Sequence, residues 1–347
     1  MELGKTVQPL LDWYRANARD LPWRHEVTPY RVWVSEIMLQ QTRVEAVKGY
    51  FTRFLQALPD IPALARVPEQ TLLKLWEGLG YYSRARNLQK AANCVMEQYG
   101  GALPASYERL LALPGIGAYT AGAVASIAFG LPVPAVDGNV LRVLARVTAD
   151  RSDIADPRTK KAAQAALRPV MPGRDSGAFN QALMELGATV CAPNVPPRCQ
   201  ACPLAALCEG RRQGVAAALT VKKPRAPRRV ESRTVFLLEQ AGRLALRRRP
   251  PQGLLASLWE LPNAAGRLDG AQAVAQVRAL GLEPLRLHPL PPAKHIFTHV
   301  EWHMTGWRVQ LEPGDSGGLT WATPAQMHGE YPLPSAFRPF LREYNDW

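Results

Sequence analysis

The chain lacks any uninterrupted apolar run long enough to cross a bilayer, which argues against a membrane-spanning protein. Its first residues, Met-Glu-Leu-Gly-Lys, show neither a basic-then-apolar leader nor an Arg/Ser-rich transit pattern, so the expected compartment is cytoplasmic. Low-complexity tracts and solenoid repeats are missing. Cysteine is scarce: five residues, four of them between positions 191 and 208. A reducing compartment argues against reading those four as disulfides. Acidic residues are outnumbered, 29 against 42 basic, for a net charge of +13, and a polyanionic partner such as nucleic acid is favoured.

What is present divides in two. Alternating strand-like runs are scarce in residues 1–215, where apolar helical stretches are punctuated by Leu58-Pro59, Val67-Pro68, Leu103-Pro104, Leu113-Pro114 and Leu131-Pro132. This part is predicted to be all-α. Residues 216–230, rich in Pro and basic side chains, are predicted to be an extended linker. Residues 231–347 change grammar: strands are expected at Thr234–Leu238, Arg243–Arg247, His295–Val300 and Thr305–Leu311. Helices are expected at Ala271–Leu280 and near Ser335, making a mixed α and β domain.

Two carboxylates stand out. Glu36 lies on a helix opened by Thr28-Pro29, with Val32, Trp33, Val34, Ile37, Met38 and Leu39 around it. An apolar surround raises a carboxyl pKa. Asp137 lies in Val136-Asp-Gly-Asn139 at the start of another helix, where terminal amides lower one, so it is expected to stay ionised. An acid and an anion with opposite tuning form a catalytic pair. As a surface glutamate Glu36 would need a polar face that its neighbours do not supply. Asp137 can also cap the helix, a role compatible with staying charged.

Leu113-Pro-Gly-Ile-Gly117 precedes a small-residue helix, Ala118–Ala128. Gly115 and Gly117 would let the backbone approach a phosphate at the helix N-terminus; the plainer alternative is an ordinary helix-turn-helix corner. Gly78-Leu-Gly-Tyr-Tyr-Ser-Arg-Ala-Arg86 could carry a wedge into a base stack, or simply pack Tyr on a helix. Cys191, Cys199, Cys202 and Cys208 are spaced C-x7-C-x2-C-x5-C, which suits zinc or an iron–sulfur cluster without choosing between them. Cys94 is expected in the core. His295, His299 and His303 could ligate a metal only if helical. Their neighbours favour a strand, in which i to i+4 spans roughly 13 Å.

Taken together, these motifs resemble the helix-hairpin-helix base-excision DNA glycosylases. Val34–Thr42, Gly80–Asn87, Phe179–Gly187, Gly253–Pro262 and His295–His299 are similar to the adenine DNA glycosylase (MutY) family over nearly the whole chain. The resemblance implies an all-α helix-hairpin-helix domain with a 4Fe–4S loop at 191–208, followed by an α+β Nudix-like lesion-recognition domain. It implies hydrolysis of adenine opposite 8-oxoguanine or guanine in double-stranded DNA by a monofunctional, monomeric enzyme that flips the base. Glu36 matches the general acid, and Asp137 the carboxylate that stabilises the sugar cation or bonds to it. Tyr119 and Asn139 match residues that position this pair, and Tyr119 stands where related endonucleases carry a Schiff-base lysine. Arg24 and Gln181 match the adenine pocket; Gln41, Leu79 and Tyr81 match the wedge; Phe297, Thr298 and His299 match the loop that senses 8-oxoguanine. Cys191, Cys199, Cys202 and Cys208 match the 4Fe–4S ligands, with the first spacing one residue longer than usual, and Thr298 replaces the usual Ser. The metal-binding glutamates of active Nudix hydrolases are missing from Ala271–Leu280, so no pyrophosphohydrolase activity is expected.

Overall fold

The structure is a computed structural model that describes residues 2–224, 227–314 and 317–344. Contacts divide the chain into two compact units, Met1–Arg66 with Arg86–Arg225, and Val67–Ala85 with Ala226–Trp347.

The first unit is helical among its described residues. Helix Pro29–Leu39 starts where sequence predicts, with the Thr28 hydroxyl accepting from Arg31 N at 3.2 Å and Pro29 at the first turn. Every residue from Tyr30 to Met38 except Arg31 is buried. A helix apolar on all sides is a core helix. Glu36 is therefore carried inside on a segment that apolar burial pays for, with 6% of its surface exposed.

Helices Val7–Asn17, Gly138–Thr148 and Ser176–Thr189 pack around a second core of Leu10, Val140, Val143, Leu144, Val147, Phe179, Leu183 and Leu186. The last two approach unusually closely. A Cβ on Gly187 would meet Asn139 Cβ at 2.7 Å and its carbonyl oxygen at 2.8 Å, so only glycine permits this crossing. Residues 216–221, expected in the linker, are held to this unit: Leu219 is buried, its carbonyl accepts from Arg146 Nε at 2.9 Å, and Ile154 N donates to Val221 O at 3.2 Å. Residues 225 and 226 of that linker lie outside the described residues. Cys94 is half-buried, not fully in the core as its apolar neighbours suggest.

The second unit is built on a mixed sheet. Its strands are β1 (Arg229–Gln240), β2 (Arg243–Arg248), β3 (Trp259–Glu260), β4 (Asn263–Ala265), β5 (Pro284–Ile296), β6 (Val300–Leu311) and β7 (Thr320–Ala322). The main order is β3-β2-β1-β6-β5, with β4 on β1 and β7 on β2; β1 and β6 run parallel and the other pairs antiparallel. Alternation along β1 sends Val235 and Leu237 to a core with Trp302, Phe337 and Phe340. Phe236 and Leu238 go to a core with Val309, Ala273 and Val277.

The predicted strand His295–Val300 is in fact a hairpin. β5 ends at Ile296, β6 begins at Val300, and Phe297 N donates to Val300 O at 2.8 Å across the reversal. β-branched and aromatic residues signalled extended chain, but pairing of Ile296 with Glu301 decides where it turns back. Most of β5 escaped prediction because Pro284, Pro289, Pro291 and Pro292 read as loop; an edge strand tolerates them.

Candidate active site

Glu36, Asp137, Tyr119, Asn139, Arg24, Gln41, Gly117 and Gln181 line one cleft of about 640 Å³ in the first unit. The two carboxylates thus face the same space, of a size typical for a small-molecule site.

Tyr119, from helix Ala118–Phe129, donates its phenol to Glu36 Oε2. Burial pushes the Glu36 carboxyl up from 4.5 to about 7; the Tyr119 bond and Arg24 oppose this, and the charge of Asp137 adds to it. Tyr119 itself is raised well above the ordinary phenol value, first by burial and then by the two carboxylates, so it stays a donor.

Asp137 caps helix Gly138–Thr148, accepting from Val140 N at 2.8 Å and from Asn139 Nδ2 at 2.7 Å. The opposite tuning inferred from sequence needs correction. Burial raises the Asp137 carboxyl too, outweighing those hydrogen bonds and the Arg142 charge. Helix-terminal amides were legible; enclosure by neighbouring helices was not. Behind Asp137 stands Arg142, whose Nη2 donates to Asn139 Oδ1 and to Gly187 O, both at 2.7 Å, while its Nε donates to Cys191 O at 2.9 Å. The guanidinium fixes which face of the Asn139 amide points at Asp137.

One carboxylate was missed. Glu185 is 1% exposed and lines the same cleft. It accepts from Arg19 Nε at 2.5 Å, Arg19 Nη2 at 3.1 Å and Arg24 Nη2 at 2.8 Å. Burial acts to raise this carboxyl, but the Arg19 and Arg24 bonds win and hold it below its ordinary value. Its signal was the one that marked Glu36: a lone acid among Leu183, Met184, Leu186 and Gly187, four residues after Gln181. Gln181 Oε1 accepts from Tyr14 OH at 3.1 Å, and Arg24 Nε is buried without a hydrogen-bond partner, a spare donor at the cleft. Glu185→Ala is expected to cost about 3 kcal/mol of stability at neutral pH, because it leaves the largely enclosed Arg24 without its carboxylate while Arg19, 36% exposed, can turn to water. Urea denaturation checks this, and a loss below about 1 kcal/mol would show the network to be ornamental.

Gly115 has φ +74°, and a Cβ there would meet Asn87 Cβ at 2.5 Å, so it serves the turn itself. A Cβ on Gly117 would meet nothing within 4 Å, which leaves the start of the Tyr119 helix open.

Cys191, Cys199, Cys202 and Cys208 are free thiols lining one small pocket in the first unit. Among the described residues no three His, Cys, Asp or Glu side chains converge closely enough for a single metal ion. Burial pushes the Cys202 thiol up to about 11, and negative charge on Cys191, Cys208 or Cys199 would push it further. Four cysteines lining one pocket are the donor set that a single thiolate-ligated centre requires.

In the second unit, Tyr81 meets the predicted sensing loop: Thr298 Oγ1 donates to Tyr81 OH at 3.4 Å. Phe297 packs edge-on against Trp302, ring centres 4.9 Å apart, and His299 is exposed. Leu79, predicted to join the wedge, is 6% exposed and packed inside, whereas Tyr81 is 45% exposed. Tyr81 (φ 48°) and Gln41 (φ 56°) both adopt left-handed backbone, uncommon for such residues and concentrated at functional turns.

Residues 34–170 match the HhH-GPD superfamily of base excision DNA repair proteins, and residues 234–343 match the NUDIX domain. The adenine DNA glycosylase of Mus musculus is 36% identical, across 97% of this chain and 77% of that protein. The chain belongs to the adenine DNA glycosylase family. The human member is likewise 36% identical, over 92% of this chain and 70% of its own length. Among solved structures, a thermostable thymine-DNA glycosylase superposes with TM-score 0.56 at 30% identity, covering 61% of this chain and 97% of that one. An endonuclease III–DNA complex, at 24% identity and TM-score 0.52, shares the fold. As a member of the adenine DNA glycosylase family, the chain is an enzyme of base-excision repair, a monofunctional DNA glycosylase. No helix among its described residues is long and apolar enough to cross a membrane.

Proposed function

We propose that this enzyme hydrolyses the N-glycosidic bond of adenine paired with 8-oxoguanine, or with guanine, in duplex DNA and leaves an abasic site. The observation that carries this reading is the single cleft shared by Glu36 and Asp137. Adenine is a poor leaving group unless protonated, and a carboxyl that titrates near 7 can deliver that proton at neutral pH. Its bond from Tyr119 holds the acid in place. As the bond breaks, positive charge grows on the sugar, and Asp137, oriented by Asn139, offsets it or bonds to it transiently. Water completes the reaction, since Tyr119 occupies the place of a Schiff-base lysine. The reacting base must leave the helix to enter such a cleft. Arg24 and Gln181 supply its polar contacts.

Gly115 and Gly117 present the hairpin to a backbone phosphate, a contact that positions DNA without reading bases. Gln41 and Tyr81 are assigned to the space around the damaged pair, with Leu79 packed beneath the Tyr81 turn, and Phe297, Thr298 and His299 sense 8-oxoguanine. Cys191, Cys199, Cys202 and Cys208 would hold a 4Fe–4S cluster whose contribution is to cross-link the loop, and the enzyme acts as a monomer. The NUDIX-like portion is the part assigned to recognition of the base opposite adenine.

A panel of duplexes tests the substrate: adenine opposite 8-oxoguanine, adenine opposite guanine, and thymine opposite guanine. Alkali-revealed breaks are expected in the first two, fastest in the first. Breaks confined to the thymine duplex would overturn the assignment. Because Glu36 must be protonated to act, the single-turnover rate is expected to fall as pH rises through about 7; a flat profile from pH 6 to 9 would remove it from the proton transfer.

A further inference from the structure

Lys74 sits in helix Glu69–Leu75 between Leu72, Leu73 and Trp76, all fully buried, and its own side chain is only 18% exposed. An ammonium so enclosed must be met by acceptors. It donates to Met327 O at 2.9 Å and Tyr331 O at 3.0 Å and pairs with Glu77 Oε2 at 2.5 Å. Met327 lies in the last turn of the short helix Pro324–Gly329, whose final carbonyls have no partner within the helix. Glu77 Oε1 in turn accepts from Leu333 N at 3.4 Å, and Gln70 Nε2 donates to Glu330 O at 3.0 Å. The stretch 70–77 is thereby fastened to 327–333, within one compact unit.

The chain then turns through three left-handed residues, Gly78 (φ 97°), Gly80 (φ 71°) and Tyr81 (φ 48°). Such a turn persists only where its surroundings hold it. Trp76 Nε1 donates to Gly80 O at 3.1 Å, and Arg84 Nη2 donates to Leu79 O and Gly80 O at 3.2 and 3.1 Å. The Arg84 guanidinium lies 5.4 Å from the Trp76 ring centre and 5.5 Å from that of Tyr81. At the far side Tyr81 OH receives Thr298 Oγ1. Contacts thus run unbroken from Lys74 through Trp76 and Arg84 to the Tyr81–Thr298 pair.

We propose that Lys74 is a positioning residue for recognition of the base opposite adenine: it anchors the root of the turn that holds Tyr81 against Thr298. The proposal rests on reading Tyr81 and Thr298 as the contact with 8-oxoguanine.

The test uses full-length Lys74→Met and Lys74→Arg with duplexes carrying adenine opposite 8-oxoguanine or guanine. A second duplex carries 2-aminopurine beside the 8-oxoguanine, which brightens when the stack is opened. Misplacement of a group by about 1 Å can cost two orders of magnitude, so Lys74→Met is expected to lower the ratio of single-turnover rates on the two duplexes about tenfold. The 2-aminopurine signal is expected to weaken with it, and Lys74→Arg to restore both. Equal loss on both duplexes with an unchanged 2-aminopurine signal would reduce Lys74 to a structural anchor and overturn the proposal. If Lys74→Met fails to fold, Gln70→Ala, which removes one exposed bond of the same clamp, must lower the ratio in the same direction; an unchanged ratio overturns it equally. A wild-type enzyme without preference for 8-oxoguanine would instead sink the underlying reading, and the 2-aminopurine signal would then decide the role of Lys74 alone.

Discussion

Replacing Glu36 with Gln is expected to slow adenine release by about 10²–10⁴-fold while leaving affinity for the duplex nearly intact. The amide keeps the size of the side chain and an oxygen to receive the Tyr119 phenol, and loses only the transferable proton. The same variant should be more stable than the wild type in alkali. A carboxyl whose folded pKa lies near 7 is stabilising while protonated, below its unfolded value of 4.5, and that contribution is lost as pH rises through about 7. The variant, which cannot ionise, escapes this loss, worth on the order of 3 kcal/mol once the acid is fully charged. Denaturation at pH 8 should therefore favour Glu36→Gln, and the difference should vanish near pH 4. Normal turnover by the variant, or equal stability at both pH values, would refute the buried-acid assignment.

Asp137→Asn is the second decisive change. Asparagine caps a helix about as well as aspartate, so Val140 N keeps an acceptor. The new amide nitrogen, however, faces the Asn139 Nδ2 donor that Arg142 holds in place, and stability should fall by about 1–3 kcal/mol. The charge facing the sugar disappears, and loss of one such preorganised electrostatic contact typically slows chemistry by about 10²–10³-fold. Single-turnover rates with adenine opposite 8-oxoguanine, set beside a melting curve, separate the two roles. A variant active to within a few-fold of wild type would show that Asp137 is a cap and nothing more.

Much of this site was readable along the chain because burial leaves a local mark. Glu36 stands out since its neighbours at helical spacing are apolar, and Asp137 since Asp-Gly-Asn opens a helix. Glu185 carries the same mark as Glu36 and could have been found by it. Arg19 and Arg142 could not. Arginines in contact and arginines in solvent look alike in sequence: a crossing of helices that Gly187 allows buries Arg142, and the fold brings Glu185 to Arg19. The hairpin at Phe297–His299 was hidden for a related reason: a run of aromatic and β-branched residues specifies extended backbone but not the point at which two strands find their register.

The order of residues by itself determined a helical first part, a mixed second part, a basic protein, four clustered cysteines and the two acids, because composition, turn residues and periodicity act over short stretches of chain. Only the tertiary structure decided that both acids open on one cleft and that burial raises Asp137 as well as Glu36. It alone joined residues 67–85 to the NUDIX-like portion, with Tyr81 touching Thr298. Those outcomes depend on desolvation and contact between segments far apart in the chain, and neither is a property of any local run of residues.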